Sequence, residues 1–231
     1  LSLLVVLLAG CHHATAPALK AAVPPALGTS GWTAASDAET GVSLGVPPGW
    51  RVGVPRAFDP ASLSGSSLAG SGEGGDPSAP SANVAVQGMM DDMAKQSAAA
   101  EKATLAKLRE KEGIVLHCVD GSKPIVAEEP TRFYVRFLKD AGYGTLDEAA
   151  AEEKSQSHQD MKIEKVSLPV GKAARLQVKG RNRIGDEECR VSYVFVDGKD
   201  AYVLRFASTN APDAVLGIDR QVAETFRVAK K

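Results

Sequence analysis

Chemistry in this chain would have to come from three cysteines, four histidines and scattered carboxylates. His117 and Cys118 are adjacent, and a thiol beside an imidazole is the raw material of a cysteine nucleophile. The run Ile114-Val115-Leu116-His117-Cys118-Val119 reads as a buried strand, however, and neighbours along a strand point to opposite faces. No Cys–His pair is expected from it. His158 stands alone at a polar helix end and reads as solvated. Glu128-Glu129, Glu152-Glu153 and Glu187-Glu188 fall in loops or on helix surfaces, whereas general acid–base work needs carboxylates held in a cleft that shifts their pKa. His12 and His13 are neighbours without further ligands, a poor metal site. Gly70-Ser71-Gly72-Glu73-Gly74-Gly75 spells a dinucleotide fingerprint, but such a loop works only between a strand and the helix that opens on it. Its surroundings are Ser, Gly, Ala and Pro. The sequence thus predicts no catalytic residue, no metal, no cofactor and no enzyme.

Cys11 carries the clearest chemical signal. The segment from Leu1 to Gly10 is uncharged and almost wholly apolar. It is shorter than the roughly 20 residues a membrane-spanning helix requires. It has the length of a signal-peptide apolar region ending in small residues. Leu8-Ala9-Gly10-Cys11 resembles the lipobox of bacterial lipoproteins. That resemblance implies a diacylglycerol thioether on Cys11, cleavage after Gly10, and an extracytoplasmic address on a bacterial membrane. His12, rather than Asp, leans toward the periplasmic side of the outer membrane in a diderm host. Residues 11–31 then form the anchor and an Ala/Pro tether, in which Pro17, Pro24 and Pro25 discourage helix and sheet.

The remainder is sized for one domain of roughly 170 residues. A formal net charge of −1 offers no basic field for nucleic acid. Outside the cytoplasm, Cys118 and Cys189 are either a disulfide or two buried thiols.

The elements that must position any site follow from periodicity. Short strands are expected at 32–36, at Val42–Val46 and at Trp50–Val54. Residues 59–82 form a Gly/Ser/Pro insertion. A short strand at Asn83–Gln87 precedes an inserted helix over 90–112. Met90, Met93, Ala94, Ser97, Glu101, Leu105 and Leu108 mark its weak stripe, which suits loose packing. Strands follow at Ile114–Val119 and Thr131–Phe137. Thr145 and Glu148 spell a capping box for a helix over 146–157, with Leu146, Ala149, Ala150 and Glu153 on its narrow inner face. Strands Lys162–Leu168 and Lys172–Lys179 flank Pro169-Val170-Gly171. Gly198-Lys199 fits a two-residue hairpin loop. It sets Phe195 opposite Tyr202, Tyr193 opposite Leu204, and Val191 opposite Phe206, all on one face. A one-residue slip should put these in water. Pro212-Asp213 opens a last helix with Val215, Ile218, Val222 and Phe226 on one stripe.

This order resembles the PsbP-like superfamily. The resemblance rests on Gly41-Val42-Ser43-Leu44-Gly45-Val46-Pro47-Pro48-Gly49-Trp50, Gly144–Ala149, Leu168–Leu176, the Tyr193–Lys199 hairpin with its return Ala201–Phe206, and Thr225–Val228. It implies an α+β domain over 32–228, an antiparallel sheet with helices packed on it in an αβα sandwich. It implies no shared active site, and binding or assembly as the mode of action. Three functions are therefore carried forward. The first is a membrane-anchored, non-enzymatic factor with a protein partner. The second is a small-molecule module with a pocket between the sheet and the 90–112 helix. The third is a hydrolase assembled from distant residues, with His117 or His158 brought beside Ser and Asp.

Overall fold

The computed structural model describes residues 31–54, 82–121, 131–157, 160–181, 185–209 and 211–229. Cys11, the tether, the 59–82 insertion except Ala82, Glu128-Glu129 and His158 lie outside them. The described elements are strands β1 (Thr33–Asp37), β2 (Val42–Val46) and β3 (Trp50–Val52), then helix α1 (Ala82–Glu112). Strands β4 (Ile114–Asp120) and β5 (Arg132–Leu138) lead to helix α2 (Leu146–Ser155). Strands β6 (Lys162–Leu168), β7 (Gly171–Arg181), β8 (Glu187–Asp197) and β9 (Asp200–Thr209) follow. Helices α3 (Pro212–Leu216) and α4 (Asp219–Thr225) and strand β10 (Arg227–Val228) close the described chain.

Seven strands form one antiparallel sheet in the order β3-β4-β5-β9-β8-β7-β6. A three-stranded sheet, β1-β2-β10, lies apart from it. The fold is α+β, as the family resemblance implies. On one face of the large sheet, Phe133, Val191, Tyr193, Phe195, Leu204 and Phe206 pack against the small sheet and against Val215, Val222 and Phe226. On the other, Ala149 and Ala150 of α2 cover Leu176, Val178, Val194, Val196 and Val203.

The β8–β9 hairpin has the expected register: Val191 pairs with Phe206, Tyr193 with Leu204 and Phe195 with Tyr202. The expected penalty for a slip needs correcting. Toward the turn the alternate face of this hairpin, Val194, Val196 and Val203, is also apolar and buried, because α2 covers it. Register is held instead by the tight turn at Gly198-Lys199 and by pairing on both sides.

Several details of the elements differ from expectation. Asn83–Gln87 is the first part of α1, not a strand. A strand needs a neighbour to satisfy its backbone, while helical bonding simply continues upstream from the Ala- and Lys-rich stretch. The last helix breaks into α3 and α4 at Gly217 and Ile218, where the Gly217 N–H turns back to the Asp213 carbonyl. Phe226 is extended and leads into β10 rather than lying within a helix, so that Arg227 pairs with Ser43 of β2. Another is at α2. Thr145 Oγ1 accepts from the Glu148 N–H, but the Glu148 carboxylate returns to the Gly144 N–H, one residue outside a reciprocal box.

Helix α1 spans 31 residues, about 46 Å at 1.5 Å per residue. Among its described side chains, Met90, Ala94, Ser97, Leu105, Leu108 and Arg109 are half-buried, with Glu101 buried among them. Met93 is the exception to the expected stripe, being 41% exposed. Two carboxylate clasps hold the helix. Glu101 accepts from Arg51 at 2.9 Å and from the Val54 N–H at 3.1 Å. Arg109 reaches Asp37 at 2.7 Å and Glu39 at 2.6 Å. Gly113 ends the helix at φ 69°, where a Cβ would lie 2.6 Å from the Phe137 carbonyl oxygen.

Candidate functional site

Cys118 and Cys189 are free and buried. The Cys118–Cys189 bridge left open by the sequence is not formed. Cys118 lies on β4 and Cys189 on β8, with β5 and β9 between them. Three inter-strand steps put them on the order of 14 Å apart, about twice the reach of a disulfide. Burial pushes the Cys118 thiol up to about 12, and burial also raises Cys189. Neither thiol is poised to become a thiolate nucleophile.

His117 and Cys118 do point to opposite faces. Cys118 enters the core. The His117 ring stacks on Tyr134, with centroids 5.9 Å apart, and its Nδ1 lies 2.8 Å from the Gly53 carbonyl oxygen. That bond makes Nδ1 the protonated nitrogen of the neutral ring. Burial first, then Arg132 and Arg51, hold the His117 pKa below its ordinary value. Its described contacts include neither Ser nor Asp. Gly41-Val42-Ser43-Leu44-Gly45 matches Gly-x-Ser-x-Gly, a spelling that activates serine only on a sharp strand-to-helix turn. Here it lies along β2, with Ser43 paired to Ser36 and Arg227. No elbow forms.

The structure instead gathers arginines. On the α2 side of the large sheet, Arg132 is level with Ala207 and Arg190, and Tyr134 is level with Arg205 and Ser192. Arg136 follows Tyr134 along β5 on the same face. Helix α1 packs on β4, and α2 packs on β7 and β8. Strands β5 and β9 run between the two helices, and Arg132, Tyr134, Arg136, Arg190 and Arg205 are all half-buried there.

Glu153 is the carboxylate at the centre. It projects from α2, is buried, and its Oε1 pairs with Arg205 and accepts from Ser192 Oγ at 2.9 Å. Arg205 also donates to the Tyr134 hydroxyl at 3.1 Å and lies over the ring at 5.8 Å. Burial works against its charge, and Tyr134 and Glu153 more than offset it, so its pKa rises. Arg190 donates to Ser157 Oγ. The Nε atoms of Arg190 and Arg205 are both buried without a hydrogen-bond partner. Period-two alternation marks these arginines as one face. Only the topology, which puts β9 between β5 and β8, shows that they converge.

Two clefts lie elsewhere. One of about 260 Å³ has Val166, Leu168 and Leu216 as apolar walls, with Arg175, Tyr193 and Asp219 also lining it. There Asp219 Oδ2 accepts from Tyr193 OH at 2.9 Å and from Arg175 Nε at 3.0 Å. The other, about 510 Å³, is lined by Glu39, Lys139, Asp197, Asp200 and neighbours. Neither is the expected pocket between the sheet and α1.

These features define a class: an antiparallel α+β domain with a half-buried arginine face and a long helix clasped beside it. No protein-family model matches the chain, and no curated protein matches it. Among solved structures, a crystal structure from Bacteroides thetaiotaomicron VPI-5482 is similar at 14% identity and a TM-score of 0.39, over 83% of this chain and 46% of that one. The chain thus spans less than half of that structure's length. The solution structure of cyanobacterial PsbP (CyanoP) from Synechocystis sp. PCC 6803 is similar at 12% identity and a TM-score of 0.40, over 88% of this chain and 95% of that one. Likenesses this distant assign no function. No helix among the described residues is long and apolar enough to cross a membrane.

Proposed function

We propose that this chain is a lipid-anchored, extracytoplasmic, non-enzymatic binding protein with a PsbP-like domain, and that a protein partner docks on α1. Helix α1 carries the reading. From Gly88 to Ala100 its side chains are exposed apart from half-buried Met90, Ala94 and Ser97, and it presents Met89 (67% exposed) and Met93 (41% exposed) to solvent. Methionine is the adaptable apolar side chain of binding surfaces. The address rests on the lipobox at Cys11. Two or three acyl chains, each buried CH₂ contributing about 0.8 kcal/mol, anchor a protein stably.

Incorporation of labelled palmitate in wild type and in Cys11→Ser tests the address. Label in the wild type alone supports it, and equal labelling contradicts it. Affinity capture from membranes tests the function, using the full chain, a deletion of 90–112, and the double variant Met89→Glu with Met93→Glu. Loss of one defined partner from both variants is expected. Retention by both would contradict docking on α1.

A second reading, a small-molecule module, is favoured by the cleft at Asp219. Apolar walls with a few convergent polar groups are the usual form of a ligand site. Asp219→Asn would then abolish ligand binding and leave partner capture intact.

A further inference from the structure

The geometry points to an acidic segment of the protein partner as the occupant of the arginine face between α1 and α2. This rests on the protein-binding reading and adds the chemistry of the partner.

The charge there is unbalanced. Arg190 and Arg205 sit on the same face, on neighbouring strands, two residue pairs out of level. Glu153 pairs with Arg205. Arg190 meets Ser157, a neutral group, and no ion pair engages it among the described residues. Arg136 gives its Nε–H to the Glu112 carbonyl oxygen at 3.1 Å, a backbone group rather than a carboxylate. Half-buried guanidinium groups without a counter-charge are costly, and so are buried N–H donors without acceptors. Both Nε orphans fall on this pair. A fold selected for stability alone gains nothing from such an arrangement. A carboxylate-bearing ligand would neutralise it and use the forked donors bidentately.

The shape decides what delivers the carboxylates. The arginines lie on central strands, with α1 on β4 at one side and α2 on β7 and β8 at the other. A flat membrane surface cannot enter between two helices, whereas an extended peptide can.

The test is fluorescence anisotropy with the full-length protein and a labelled dodecapeptide of alternating Glu and Ser. Its Lys/Ser counterpart, inorganic phosphate and anionic phosphatidylglycerol vesicles serve as competing probes. Saturable binding of the acidic peptide is expected, falling as salt rises. Arg190→Gln and Arg136→Gln should each weaken it at least about tenfold. Arg220→Gln, on the surface of α4, should not. Thermal melts confirm that each variant is folded, and Arg136→Gln spares the buried Arg205–Glu153 pair. No peptide binding at low salt, or binding unchanged in the arginine variants, overturns the inference. Arginine-dependent binding of phosphate or vesicles without the peptide overturns it too, assigning the face to a small oxyanion or a headgroup. If partner capture through Met89 and Met93 survives while the peptide fails, only this inference falls. If capture fails as well, the protein-binding reading falls with it.

Discussion

Arg205 and Glu153 form an ion pair in which both side chains are nearly withdrawn from water, at 16% and 4% exposure. The pair ties β9 to α2 across 52 positions of sequence. Such a pair adds little net stability over apolar residues, but breaking it leaves a buried charge alone. Glu153→Gln is therefore expected to destabilise the fold by about 3–5 kcal/mol. Urea denaturation measures this. A loss below about 0.5 kcal/mol, the size of an ordinary surface change, would show that the pair is solvated.

The inner face of α2, with Glu153 on it, was legible in the sequence, as was the hairpin that carries Arg205. Their meeting was not. Glu153 reads as half of the surface doublet Glu152-Glu153, because helical periodicity shows which side faces in but not what waits there. The double burial of β8 was hidden for a related reason. Val191, Tyr193 and Phe195 alternate with Ser192, Val194 and Val196, and only α2 above them shows that the second set is core. Helix α1 was seen from Met90 onward, because the Ala- and Lys-rich stretch declares itself. Its first turns, containing Val84, Val86 and Gly88, carry no such signal.

Gly53 is the point on which the α1 clasp turns. Its φ is 137°, and a Cβ there would stand 1.9 Å from Glu101 Oε1. Gly53→Ala should cost about 1–3 kcal/mol through backbone strain and also displace the Glu101 carboxylate. Hydrogen exchange of α1 should accelerate while that of β8 and β9 stays slow. Uniform exchange in wild type and variant would contradict the clasp.

His117 gives stability a pH slope of known sign. Burial holds its folded pKa below the ordinary 6.5. Above pH 6.5 the ring is neutral in both states, and its contribution is complete. As pH falls below 6.5, the unfolded chain takes up a proton that the folded chain refuses, so stability declines down to the folded pKa. His117→Gln should flatten this part of the profile. An unchanged slope in the variant would place the titration elsewhere.

The buried thiols predict a simple chemical result. In Cys11→Ser, native protein without reductant should react with no thiol reagent, and two thiols should appear on denaturation. Burial of both, with Cys118 pushed up to about 12, accounts for the silence. Absence of free thiols after denaturation would show that Cys118 and Cys189 pair after all.

Docking on α1 is tested most directly by photo-crosslinking from the helix itself, in membranes, with the full anchored chain. A photoreactive side chain at Met89 or Met93 should give one discrete adduct with a single protein. The same group at Arg220, on the surface of α4, should give none. Equal adducts from both places, or none from α1, would contradict the account.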